Sequence, residues 1–184
     1  VNFKWSIAVR LLAYVITLVF LLTGHSFAQI EVRSSDVVDG KIVKESACRK
    51  KGGKDKSPQI SITNIPSGTK SISIIMDDPD AIKPAGKIWV HWNVFNIPVD
   101  GETFILDRGA KPAGIIGKGH SGSGYKGMCP PDGKHEYRIA VYAQKEDVKA
   151  KATGFGAVKY TLERFEKDFG SAIIQKSVLT GTFK

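Results

Sequence analysis

From residue 60 onward, apolar and polar residues alternate in short runs. Ile60-Ser61-Ile62-Thr63 alternates as a half-buried strand does. Residues 71–76 form a second such run, which stops at Asp77-Asp78-Pro79-Asp80. A third covers 88–97 and is ended by Pro98. Strict alternation would point Trp89, His91, Asn93 and Phe95 one way and Val90, Trp92 and Val94 the other. A fourth covers 136–143, with His135, Tyr137, Ile139 and Val141 on one face. Pro, Gly and Asn turns separate these runs, which predicts an antiparallel sheet or sandwich. There is no βαβ alternation. One helix is predicted over 160–173, where Leu162, Phe165 and Phe169 recur at helical spacing between charged residues. Gly170 weakens its far end. Residues 178–183 are predicted to close the chain as a short strand.

The N-terminal pattern is different. Lys4 and Arg10 precede an apolar run from Leu11 to Leu22 that only Thr17 interrupts. Ser26-Phe27-Ala28 then offers small residues for a cleavage after Ala28. This is the three-part layout of a secretory signal peptide. The alternative, a transmembrane anchor, needs about 20 apolar residues. The expectation is a leader over 1–28, a single domain over 29–184, and a periplasmic or secreted location.

Composition refines this picture. The 184 residues carry 27 Lys+Arg and 18 Asp+Glu, a formal net charge of +9. Lys4 and Arg10 are the only charged residues of the first 28, so the remaining 156 hold 25 basic and 18 acidic residues, a net +7. With 42% apolar and 24% charged residues the chain has the composition of a folded protein. Two cysteines are too few for a disulfide-dense scaffold or a four-cysteine zinc site. After export, Cys48 and Cys129 can pair; two separate thiols are the alternative.

Two stretches are irregular. Residues 49–56, RKKGGKDK, form a basic loop with no aromatic for a base to stack on, so a nucleic-acid partner is not expected. Residues 109–127 hold seven glycines and one proline. They contain two G-x-G-x-x-G matches, Gly117 to Gly122 and Gly122 to Gly127. A dinucleotide fingerprint needs a helix next, and Met128-Cys129-Pro130-Pro131 argues against one. A loop whose bare backbone approaches a ligand fits better.

Asp78, Asp80, His91 and His135 are the chemistry-bearing residues. They are the residue types for metal binding or acid–base work, but their spacing matches no metal motif. Asp78 and Asp80 follow a strand end, and the histidines lie beside Trp89 and Tyr137. No serine sits in G-x-S-x-G, so hydrolysis has no evident nucleophile.

Three ordered segments carry a resemblance. They are Asp78-Pro79-Asp80-Ala81, then Trp89-Val90-His91-Trp92-Asn93-Val94-Phe95-Asn96-Ile97-Pro98, then 124–137, GYKGMCPPDGKHEY. In this order they resemble phosphatidylethanolamine-binding proteins, and more closely their bacterial Raf-kinase-inhibitor-like branch. The likeness runs from about Cys48 to Phe183. It implies a mostly β fold: a β-sandwich with a large central antiparallel sheet and a C-terminal helix. It implies a small anion pocket for phosphoryl head groups or related anions. The site residues it implies are Asp78, Asp80, Trp89, His91, Pro130, Pro131, His135 and Tyr137. His91, His135, Tyr137 and backbone N–H groups of the glycine loop would donate to the anion. The aspartates would fix or charge a histidine, or pair with a ligand amine. The chain departs from the family where Ile62-Thr63 replaces a tryptophan and Ile82 replaces a proline.

The resulting expectation is an exported binding protein without catalysis, cofactor or metal, whose partner is a phosphoryl or other small anion, such as a phospholipid head group. An inhibitor acting on a kinase or protease is the alternative. A metal-dependent enzyme using Asp78, Asp80, His91 and His135 is the third reading.

Overall fold

The structure is a computed structural model that describes residues 28–184. The leader expected over 1–28 lies outside the described residues, apart from Ala28.

Strand β5 (Ser71–Asp78) is buried along its whole length. It pairs antiparallel with β11 (His135–Gln144) on one side and β6 (Trp89–Pro98) on the other. Around them grows a seven-stranded sheet in the order β2-β3-β12-β11-β5-β6-β8. Its other members are β2 (Val37–Val38), β3 (Lys41–Ile42), β8 (Ile115–Ile116) and β12 (Ile173–Phe183). One pairing, β12 with β3, is parallel; the rest are antiparallel. A second sheet has the order β1-β4-β7, from Glu31–Arg33, Ile60–Thr63 and Phe104–Leu106. The two sheets enclose the larger core, in which Val32, Ile60, Ile62 and Leu106 face Ile72, Ile74, Trp92, Ile139 and Val141. The mostly β sandwich expected from the sequence is the fold.

The outer face of the large sheet is covered by helix α2 (Leu162–Phe169) and the segment before it. Phe165 stacks there on Phe95 and packs against Tyr142 and Tyr160. The helix is shorter than the predicted 160–173. Thr161 caps it by accepting from the Arg164 N–H, and a 3-10 turn (Gly170–Ala172) ends it. The residues after that turn pair with β11, so β12 runs from Ile173 and not from 178. A short helix, α1 (Ile82–Ala85), follows a 3-10 turn at Pro79–Ala81.

The glycine stretch is also resolved. Its fingerprint-like part is a small hairpin, β9 (Lys118–Gly119) with β10 (Gly122–Ser123). A Cβ on Gly119 would lie 2.6 Å from the Val90 carbonyl oxygen. Glycine is needed there so that the hairpin can lie flush on β6.

Strict alternation fails in β6. Met76 pairs with Trp92 but Asp77 pairs with Val90, which leaves His91 as an extra residue, a β-bulge. Consequently His91 packs on the Tyr137 ring while Trp92 still enters the same core. Phe95 alternates from Val94 to the helix side, and a second bulge near Asn96 (φ 56) returns Ile97 to the sandwich core.

Helix α2 is held to the sheet by Asp77, which is fully buried. Its carboxylate accepts from Arg138 Nε (2.8 Å) and Nη2 (2.9 Å) and from the Leu162 N–H (3.1 Å). Arg138 also meets Glu163 at 2.8 Å. Arg138→Ala strands a buried carboxylate and is expected to cost about 3–5 kcal/mol. Urea unfolding with a loss under about 1 kcal/mol would refute that account.

Candidate functional site

A cavity of about 250 Å³ opens where β5, β6 and β11 end. Its walls are Asp78, Ala81, Pro84 and Ala85 on one side and Cys129, Pro130 and Pro131 on the other, with Trp89, His91, Ser121, Gly127 and His135 between them. Six of the eight residues expected from the sequence therefore line it: Asp78, Trp89, His91, Pro130, Pro131 and His135.

Local structure explains each placement. Asp78 is the last residue of β5 and caps the 3-10 turn, with its Oδ1 accepting from Ala81 N–H at 3.1 Å. His135 opens β11, and the bulge aims His91. The proline wall is fixed by a disulfide between Cys48 and Cys129, 81 residues apart in sequence. Beside it, Cys48 N–H donates to the Met128 carbonyl (3.0 Å) and Gly127 N–H to Asp55 Oδ1 (3.0 Å). A Cβ on Gly127 would lie 2.5 Å from Cys48 N, so only glycine permits this approach.

Asp80 is exposed and does not line the cavity; its Oδ2 accepts from the Glu136 N–H at 2.8 Å and ties the 3-10 turn to β11. Tyr137 lies fully buried, its ring 5.3 Å from that of His91 and 6.4 Å from that of His135. Among the described residues its hydroxyl has no partner at bonding distance, although the Asp78 carboxylate is near enough to act on it, and it does not line the cavity.

The two histidines are in different states. His91 Nδ1 lies 2.8 Å from the Lys126 carbonyl oxygen. A carbonyl only accepts, so Nδ1 carries the proton and Nε2 of the neutral ring is a bare acceptor. Burial pushes the His91 pKa below its ordinary value. His135 lies between two carboxylates: Nδ1 is 2.8 Å from Asp78 Oδ2 and Nε2 is 2.8 Å from Asp132 Oδ1. Both nitrogens must then donate, which makes the ring an imidazolium. Burial opposes that charge, but the hydrogen bonds to Asp78 and Asp132 outweigh it and raise the pKa. The bond from His135 in turn holds the Asp132 carboxyl below its usual range. Burial, and then the Asp78 charge, push the Tyr137 phenol far upward, so it stays a protonated donor.

Two residues of this arrangement escaped the sequence reading. Asp132 sits in a Pro-Pro-Asp-Gly turn, where an aspartate reads as turn chemistry. Its spacing of three from His135 was the available signal. His120 packs its ring 4.8 Å from that of Trp89 and accepts from Val90 N–H through Nδ1 (2.8 Å). Burial, with Lys159 and Lys87 nearby, lowers its pKa to about 4. Among the described residues no three His, Cys, Asp or Glu side chains are grouped to hold a metal ion.

Residues 33–184 match the phosphatidylethanolamine-binding protein family, and the chain belongs to that family. Among its relatives, the UPF0098 protein YbcL of Escherichia coli K12 is 31% identical over 157 residues, covering 77% of this chain and 83% of YbcL. A UPF0098 protein of Methanothermobacter thermautotrophicus is 43% identical over 96 residues, which is 50% of this chain but only 62% of that relative. The crystal structure of YbcL, described as a new member of the mammalian PEBP family, superposes with a TM-score of 0.68 at 25% identity, covering 85% of this chain and 99% of YbcL. That of the PEBP homolog CT736 of Chlamydia trachomatis gives 0.67 at 27% identity, covering 85% and 97%.

The three histidines are expected to titrate apart. In a ¹H–¹⁵N spectrum, His135 should lose its proton above about pH 6.5 and His91 and His120 below it. The sign for stability follows. The His135 contribution is complete below about pH 6.5 and is lost as pH rises through its higher native pKa. His91 and His120 contribute above about pH 6.5, and their share is lost as pH falls. Asp132→Asn should lower the His135 pKa; an unmoved His135 would refute the carboxylate clamp.

Proposed function

We propose that the cleft is a binding site for a small phosphoryl anion, such as a phosphorylated head group, and that the protein binds without catalysing a reaction. The observation that carries this reading is the pair of buried imidazoles on the cavity wall, His91 and His135. Their rings pack on Tyr137, whose hydroxyl lies outside the cavity lining and near the Asp78 carboxylate. One imidazole carries N–H donors and the other a bare nitrogen, which suits a phosphoryl group with both acceptor and protonated oxygens.

The donors differ from those the sequence suggested. Gly127 N–H is committed to Asp55, so the glycine loop does not offer that amide. His135 is saturated by its two carboxylates. Asp132 is the replaceable one: its side chain is 35% exposed and sits on a turn, whereas Asp78 is buried. A phosphoryl oxygen that takes the place of Asp132 Oδ1 gains a charge-assisted bond from His135 Nε2. His91 Nε2 accepts from a protonated phosphate oxygen, or takes a proton when a dianion enters. Asp78 remains to meet a cationic group on the same ligand.

A location outside the cytoplasm goes with this reading. The Cys48–Cys129 bond supports it, since such bonds persist in oxidising compartments. The apolar leader pattern supports it independently.

Calorimetry with inorganic phosphate and with phosphoethanolamine tests the site. His135→Ala is expected to weaken binding about tenfold or more, the loss of a charged hydrogen bond. His91→Ala removes the bare Nε2 on the cavity wall and is expected to weaken the ligand about fivefold or more. Equal affinities in the wild type and both variants would sink the proposal.

A further inference from the structure

Beside the pocket, the chain builds a feature that no ligand in the cleft accounts for. Phe155 is fully exposed, at 104% of its reference area, so its side chain touches nothing in the fold. It stands between Gly154 (φ 76) and Gly156 (φ 69), two left-handed positions that make a tight projecting turn. The base of the turn is ordered by hydrogen bonds. Val158 N–H donates to the Lys151 carbonyl at 2.8 Å, and Lys118 N–H to the Ala152 carbonyl at 3.1 Å.

Lysines surround this tip. Lys118 Nζ bonds the Gly154 carbonyl at 3.2 Å, and Lys151 Nζ lies 3.2 Å from where a Gly156 Cβ would be. Lys149 and Lys159 flank the loop and are exposed. Residues 148–162 contain no acidic residue. The nearest ones in sequence are already engaged, Asp147 with Lys70 and Glu163 with Arg138. Among the described residues, none of the four lysines has a carboxylate within 4.0 Å. Lys159 and Lys87 are near enough to act on His120, which packs on Trp89 of the cleft.

We propose that the 149–159 loop is a membrane-docking finger: Phe155 enters the acyl boundary of an anionic bilayer while Lys118, Lys149, Lys151 and Lys159 meet its phosphates. An apolar tip with a basic collar is the arrangement that binds an interface by insertion and by charge together. A lone exposed apolar residue usually means nothing. Here the chain pays for the projection with two left-handed glycines and keeps every carboxylate away. Through Lys118 the finger lies against the β9–β10 hairpin, whose His120 packs on Trp89 of the cleft, so docking would bring the pocket to head-group level.

Sedimentation with phosphatidylcholine vesicles, with and without phosphatidylglycerol, tests this. The full chain is compared with Phe155→Ser and with Lys149→Gln/Lys151→Gln/Lys159→Gln. The wild type should bind more tightly when phosphatidylglycerol is present. Phe155→Ser should weaken that binding about tenfold or more. Each lysine removed should cost about fivefold at low salt and less at high salt. Phe155→Trp should show a blue-shifted emission on these vesicles. Phe155→Ser should bind inorganic phosphate in calorimetry as the wild type does, which separates this proposal from the phosphoryl reading of the pocket. Undiminished binding by Phe155→Ser, an unmoved Phe155→Trp emission, or a finger that captures only soluble acidic peptide would overturn it.

Discussion

Two adjacent carboxylates are buried at the end of β5, and the placement of everything around the cleft follows from how they are compensated. Asp77 and Asp78 point to opposite faces of the large sheet and are 0% and 3% exposed. An unpaired buried carboxylate is prohibitively costly. Both partners come from β11: Arg138 for Asp77 and His135 for Asp78. Each carboxylate also takes a backbone N–H from the element that covers its face, Leu162 for Asp77 and Ala81 for Asp78. A slip of one residue between β5 and β11 would turn both charges toward the wrong partners. The register of the central pair, the seat of helix α2 and the floor of the cleft are therefore one constraint.

The rest of the cleft is fitted to that floor. The bulge in β6 puts His91 and Trp92 on the same side, one for the cleft and one for the core. The hairpin of residues 118–123 needs Gly119 to reach β6. The proline wall needs Gly127 to pass Cys48, and the disulfide then closes an 81-residue separation across the site. Around His135 the charges are the carboxylates of Asp78 and Asp132, the imidazolium between them and the Lys83 ammonium 4.0 Å from Asp132. The site is thus close to neutral, although the chain is strongly basic. In the proposed site Asp132 stands in for the ligand, its carboxylate holding the place that a phosphoryl oxygen would take. That arrangement favours ligands able to outbid a carboxylate for His135, and among those favours ligands that bring a cation for Asp78.

Much of this was legible in the sequence where one residue's environment repeats along an element. Residues 60–63 are a strand as predicted, and the central strands differ from their predicted limits by one or two residues, because their alternation is set by burial on two faces. The motifs around Asp78, His91 and His135 also named most of the cleft. Features that depend on partners far along the chain were not legible. The strands of two or three residues are too short to show a period, and some, such as β9 and β10, pair only with each other. Helix α2 is shorter than its pattern because the residues after Gly170 gain more by pairing with β11. The bulge at His91 is invisible to a period-two reading, since it is defined by the register opposite Asp77. Asp80 looks like a ligand residue from its place beside Asp78, yet its carboxylate is spent on the Glu136 N–H.

The charge of the protein shows why composition and site should be read separately. An excess of basic residues suggests an anion-binding pocket, but among the described residues no lysine or arginine lines the cleft. The surplus lies instead on surface loops such as 149–159, around Phe155. Charges exposed in this way are screened within about 8–10 Å in salt, so they act on large anionic surfaces better than on one small ligand. A buried imidazolium does the reverse: it is weak at a distance and strong at contact, because water is absent. The proposed finger and the proposed pocket thus divide the work by range. The finger brings the protein to an anionic surface, and the His135 clamp selects what enters once it is there.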